Sequence, residues 1–120
     1  MALGKEIGEF SWKATSVIRG ETSAQWNFQG AGLEGNTVQA TVTFTGGADA
    51  ERGAVSWRGV HFAKDGRRLH IVGEGIWTTV GPHKWRVRVL NSRSDGLIAL
   101  LDAELDLATM SLQGKTYEWS

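Results

Sequence analysis

From Thr37 to Thr45 apolar and polar side chains alternate without a break, with Val38, Ala40, Val42 and Phe44 on one side and Thr37, Gln39, Thr41, Thr43 and Thr45 on the other. A period of two sends successive side chains to opposite faces of a strand, so this segment reads as β-structure with one buried and one wet face. EFSWKATSVI (9–18) repeats the pattern with Phe10, Trp12, Ala14, Ser16 and Ile18 on one side, and AQWNFQGAG continues it with Trp26, Phe28, Gly30 and Gly32. AVSWRGVHFA, RLHIVGEGIWTT, HKWRVRVLN, LIALLDAEL and MSLQGKTYEW supply five more strands, separated by turn-forming stretches such as LEGN, KDG, VGP and SDG. No stretch sustains a helical period long enough to stand alone. Eight sequential strands with short links predict an all-β single domain over residues 1–120, folded as one closed eight-stranded antiparallel up-and-down β-barrel. Closure removes the unpaired edges that an open sheet would expose.

Turn lengths predict registers. A three-residue loop Ser94-Asp95-Gly96 sets Arg93 across from Leu97, then Val89 against Leu101, Val87 against Ala103 and Trp85 against Leu105 on the inner face. The outer face of the same pair aligns Arg88 with Asp102, Arg86 with Glu104 and Lys84 with Asp106, an external charge ladder. A loop Val80-Gly81-Pro82 sets Trp77 across from Trp85 and Glu74 across from Arg88. A four-residue loop from Asp106 to Thr109 sets Leu105 against Met110, Ile98 against Tyr117 and Leu100 against Lys115. The strand AVSWRGVHFA has two registers. A three-residue loop Lys64-Asp65-Gly66 turns Trp57, Gly59 and His61 inward with Trp57 facing Gly73, whereas a two-residue turn Asp65-Gly66 turns Arg58, Val60 and Phe62 inward. The first is favoured, because a tryptophan fits opposite a glycine and an unpaired buried guanidinium is costly.

A barrel of this size is either filled by its own side chains or holds one small ligand. Trp12, Trp26, Phe28, Phe44, Trp77 and Trp85 crowd inward, while inward glycines remove wall volume and make room. The candidate ligand-binding residues are Trp26, His61, Trp77, Trp85 and Asn91, with Ser16, Thr79 and His83 as further polar groups. QGAG and GEG lie inside strands and have no helix after them, so they are not phosphate loops. His61, His70 and His83 share no metal-ligand spacing, GGADAERG lacks the carboxylate density of a calcium loop and reads as a solvated turn, and no G-x-S-x-G elbow is present. No metal site, no cofactor and no catalytic residue is therefore nominated.

Composition narrows the partners. Thirteen basic residues balance thirteen acidic ones, so no global positive field exists to hold phosphate backbones, and nucleic acid is not expected as a partner. The absence of cysteine removes disulfides and thiolate chemistry. No basic stretch followed by an apolar run opens the chain and no segment has the length of a bilayer span, so the expectation is a cytoplasmic protein without a membrane partner.

The strand pattern together with FQGAGLEG, GEGIW and the closing GKTYEW resembles the small bacterial calycin-like barrels related in architecture to allene oxide cyclase. The resemblance covers the chain from about residue 8 onward and is carried by glycine and aromatic placements. It implies a site for a hydrophobic molecule inside the barrel mouth, and it carries over no catalytic residue, because no functional motif matches position by position. The resulting expectation is a binder of a small hydrophobic or aromatic ligand. The alternatives are an isomerase or cyclase acting on a hydrophobic substrate, to which an interior His61, Asn91 or Glu118 with a shifted pKa would point, and a filled structural barrel. Ile98, Leu100, Tyr117 and Trp119 fall on the outer wall and predict a homodimer packed through them, unless the N-terminal extension covers them.

Overall fold

The alternating segments become eight strands linked in chain order: β1 (Leu3–Arg19), β2 (Ser23–Ala31), β3 (Thr37–Thr45), β4 (Arg52–Phe62), β5 (Arg68–Gly81), β6 (Lys84–Arg93), β7 (Ile98–Asp106) and β8 (Ser111–Trp119). Each pairs antiparallel with the next and β8 returns to β1, which closes the sheet into an up-and-down barrel. A single 3-10 turn, Leu33–Gly35, links β2 to β3. This computed structural model describes residues 2–46 and 49–120. Among them, no helix is long and apolar enough to cross a membrane.

Because the strands run up and down in order, the hairpins alternate between two ends. The β1–β2, β3–β4, β5–β6 and β7–β8 hairpins form one end; the 3-10 turn, the β4–β5 and β6–β7 hairpins and residues 2 and 120 form the other. The inner face of β3 is Val38, Ala40, Val42 and Phe44, all buried as the alternation predicts. Inside β2, Gly30 gives its wall space to Trp12, whose Cδ1 would lie 2.4 Å from an added Cβ. Gly75 and Gly114 answer a different need: a Cβ there would sit 1.8 Å from the Arg88 carbonyl oxygen and 2.2 Å from that of Asp102. Strongly coiled strands approach this closely only where the side chain is absent.

The registers of β4 and of the β6–β7 pair are those the turn lengths predict. Trp57 faces Gly73 and His61 faces Leu69 across β4 and β5. Trp85 faces Leu105, and Arg88 faces Asp102, across β6 and β7. The ladder of charges is part direct and part diagonal: Arg88 reaches Asp102 at 3.6 Å as the register predicts, while Arg86 makes a paired contact with Asp102, at 2.8 and 3.0 Å, and Lys84 reaches Glu104 at 3.7 Å.

Three expectations are corrected. A bulge between Ala14 and Ser16 adds a residue to β1, turning Val17 toward the core and leaving Ser16 and Ile18 exposed, Ile18 by 62%. The β5–β6 turn tightens around Pro82 and His83, with His83 at φ 58°, and the register moves by two. Trp77 then faces Val87, Thr79 faces Trp85 and Ile76, not Glu74, faces Arg88. The β7–β8 loop is also displaced by two, because Met110 adopts φ 58° and Asp106 accepts hydrogen bonds from the backbone N–H groups of Ala108 (3.0 Å) and Thr109 (3.1 Å). Leu105 accordingly faces Leu112, and Leu100, not Ile98, faces Tyr117. The solvated turn expected at GGADAERG includes Gly47 and Ala48, which lie outside the described residues; Asp49 and Glu51 beside them are exposed.

Candidate ligand-binding site

The two ends of the barrel are built differently. At the first end, aromatic rings fill the lumen: Trp77 and Trp85 stack with centroids 3.8 Å apart, Phe44 meets Trp85 edge-on at 5.4 Å, and Trp26 lies against Phe28 and Phe44. Trp77 fixes its ring by donating from Nε1 to the Thr45 carbonyl at 2.8 Å. Arg19 sits over the Trp26 ring, its guanidinium carbon 5.8 Å from the centroid, a cation–π arrangement. This end is closed.

The second end holds a cavity of about 40 Å³. Phe10, Trp12, Trp57, Ile71 and Leu101 form its apolar wall, and Leu33 and Leu97 stand at its rim. The aromatic part of that wall is continuous, with Phe10 and Trp12 at 4.6 Å and Trp12 and Trp57 at 5.5 Å between centroids. Trp12 is held in place by its Nε1 donating to the Ala31 carbonyl at 2.8 Å. Leu33 reaches the rim because Gly8 leaves the space, its absent Cβ position lying 2.6 Å from Leu33 Cδ2.

Three polar groups enter this apolar setting from two strands. His61 projects inward near the end of β4, Asn91 from β6, and Arg93 two residues further along β6 on the same face. Asn91 fits because its cross-strand partner is Gly73; a Cβ at that position would lie 1.7 Å from Asn91 Oδ1. Arg93 is 8% exposed at its side chain and is held on its outer edge, with Nε and Nη2 donating to Asp95 at 2.9 and 2.8 Å. Nη2 also meets Glu34 at 3.0 Å. Glu34 lies in the 3-10 turn at φ 60°, a left-handed conformation that only a firmly positioned non-glycine residue adopts.

What remains inside is unpaired. His61 Nδ1, Asn91 Oδ1 and Arg93 Nη1 are buried with no hydrogen-bond partner among the described residues. Buried polar atoms in folded proteins are nearly always satisfied, which sets these three residues of one cavity apart from the rest of the core. Trp26 Nε1 and Trp57 Nε1 are orphaned as well, the latter in the wall of the same cavity. Burial, reinforced by the charge of Arg93, pushes His61 down to about 4, so its imidazole is neutral at pH 7. Hydrogen bonding to Arg93 draws Asp95 down to about 2.

The predicted site residues thus divide between the ends. His61 and Asn91 line the cavity, whereas Trp26, Trp77 and Trp85 belong to the aromatic plug at the opposite end. Of the other polar groups considered, Ser16, Thr79 and His83 are exposed and outside the cavity. Sequence reasoning nominated neither the apolar wall, Trp57 included, nor Arg93. Arg93 continues the inward series Trp85, Val87, Val89, Asn91 at the same period of two, and that phase was the signal that could have placed it. Among the described residues no group of three or more His, Asp or Glu side chains could hold a metal ion. Neither family models nor curated proteins nor solved structures provide a match to the chain.

Proposed function

We propose that the protein is a non-catalytic binder of a small, mainly apolar ligand, which enters the mouth formed by Leu33 and Leu97 with a compact polar head leading. The observation that carries this reading is that His61, Asn91 and Arg93, each with a buried side-chain atom that has no partner among the described residues, line one mainly aromatic and aliphatic cavity. Binding sites are typically apolar with a few placed polar groups that fix orientation. A buried water takes roughly 10–15 Å³ on the same measure, so 40 Å³ accommodates about three water-sized atoms and the body of a ligand must extend into the mouth. The likeness to calycin-like barrels agrees with a mouth-facing site.

The isomerase or cyclase reading is less well supported. A general acid or base works best with a pKa near the operating pH. His61 is held down at about 4 and would be a weak proton acceptor at pH 7.

The indole N–H resonances of the six tryptophans provide the test. Titration with eight-carbon alcohols, amides and acids is expected to shift Trp57 and Trp12 while Trp77 and Trp85 stay still. No shift at millimolar concentration with any of the panel would overturn the proposal.

Self-association is proposed on a separate observation. Leu90, Leu100 and Tyr117 stand in one cross-strand row on the outer wall, with Ile98 and Trp119 on the same face. The N-terminal half of β1 lies beside β8 as its in-sheet neighbour, pairing Leu3 with Trp119, and leaves Leu90 and Val72 exposed. A self-complementary apolar wall is what a two-fold dimer uses.

A further inference from the structure

The link between β2 and β3, GLEGN, carries one apolar residue between two glycines, and it is that residue, Leu33, that the fold sets at the rim of the mouth. The link closes on itself: the Gly32 N–H donates to the Asn36 carbonyl at 2.8 Å, and the Asn36 N–H to that of Leu33 at 3.0 Å. Among the described residues, no backbone hydrogen bond joins Leu33, Glu34 or Gly35 to another element. The base is anchored, with Asn36 buried and Gly32 packed against Val38, so the turn is a self-contained flap on two fixed ends.

Two side chains hold the flap down. The tip of Leu33 occupies the hollow that Gly8 leaves in β1, and Glu34 reaches Arg93 Nη2 at 3.0 Å. The Glu34 side chain is 61% exposed, and an ion pair so open to water is a weak tie. Releasing it strands no buried charge, because Arg93 keeps both of its hydrogen bonds to Asp95. It also lets Glu34 leave its φ of 60°, a conformation costly to a non-glycine residue. Lys64, from the β4–β5 hairpin, lies alongside with Nζ 3.1 Å from the position of a Gly35 Cβ, and among the described residues it makes no ion pair with Glu34.

We infer that the turn Leu33–Gly35 is a lid on the cavity, seated by Leu33 over Gly8 and latched by Glu34 on Arg93, and that it lifts as a unit to admit the body of a ligand. This inference rests on reading the cavity as a binding site. A space of about 40 Å³ takes only the leading atoms of a ligand, and the chain behind them has to displace Leu33 from the mouth. Where a lid must open first, its opening sets the rate of entry.

Two substitutions loosen the lid from opposite sides. Gly8→Ala places a methyl group where the Leu33 tip lies; Gly8 is in extended β-structure, which alanine adopts, and beyond its chain neighbours only Leu33 stands within 4 Å of that methyl position. Glu34→Gln removes the charge of the latch at an exposed position. The full chain and both variants are compared at pH 7.5 by the Leu33 methyl resonances without ligand and by the rate at which 1-octanol shifts the Trp57 indole N–H. The Leu33 methyls are expected to exchange between two states, with the second more populated in both variants while circular dichroism stays that of the barrel. Entry of 1-octanol should quicken about two- to fivefold in Glu34→Gln, the range that an exposed ion pair is worth. Sodium chloride at roughly 0.5 M should quicken entry into the parent more than into Glu34→Gln, by screening the latch. Equal entry rates in the three proteins would overturn the lid and leave the cavity reading standing. Absence of any 1-octanol shift in all three would overturn the cavity reading and the lid that rests on it.

Discussion

At the scale of single residues, the chemistry of the open mouth is set by what each side chain is denied. His61 is denied water and placed near a cation, so its proton is already lost at pH values where a free imidazole would still hold it. The unfolded chain protonates at about 6.5, the folded chain at about 4. Between those values the unfolded state binds more protons, so stability falls as pH is lowered from 6.5 toward 4 and this contribution levels off below. Urea midpoints measured across that window should show the slope, and His61→Gln should flatten it. An unchanged slope in the variant would show that other groups carry it. Asp95 acts lower down, its contribution being present above about 3.8 and lost as pH falls toward 2.

At the scale of strands and hairpins, the alternation of side chains carried most of the fold and the turns carried the errors. The inner faces of β2, β3 and β7 follow directly from a period of two, because a half-wet strand tolerates no other phase. Two hairpin registers were displaced, since His83 and Met110 take left-handed backbone conformations that nothing in a non-glycine residue announces. Both displacements are by two residues, one full pleat, so Trp77, Leu105 and Leu112 kept their inward faces despite new partners. The β1 bulge is a displacement by one, and there Ser16 and Ile18 changed sides. The division of the candidate site has a related origin: alternation gives the face of a residue but not its height, which depends on whether its nearest hairpin is odd or even in order. Trp77→Ala should therefore act on stability, costing about 3–5 kcal/mol as a large ring leaves a filled core. Its effect on binding at the other end should stay within about twofold, read by chemical denaturation and titration of the same sample. A large loss of binding with the fold intact would connect the two ends.

At the scale of the whole molecule, zero formal net charge and an apolar wall act in the same direction. With little self-repulsion between copies, the proposed dimer would bring exposed Leu90 and half-buried Leu100 and Tyr117 against their two-fold equivalents. Sedimentation equilibrium is expected to show a species of twice the 13.1 kDa chain mass at high micromolar concentration, and Tyr117→Glu to return it to the monomer with strand content retained. A monomer throughout would remove this proposal without touching the mouth.

The pairing of β8 with β1 extends to the last described residues: the Ala2 N–H donates to the Ser120 carbonyl, and the Ser120 N–H to that of Ala2 at 3.1 Å. The backbone is thus nearly a ring, and the order in which its strands are synthesised is not what holds it closed. A circular permutant with residues 2 and 120 joined through a short linker and new ends between Glu21 and Thr22, at the plugged end, should fold and bind as the parent does. New ends between Asp95 and Gly96 should give the same barrel by circular dichroism with altered ligand preference, because the carboxylate that restrains Arg93 would then sit on a free chain end. Topologically the two cuts are equivalent, and only one of them passes through the grip on the guanidinium.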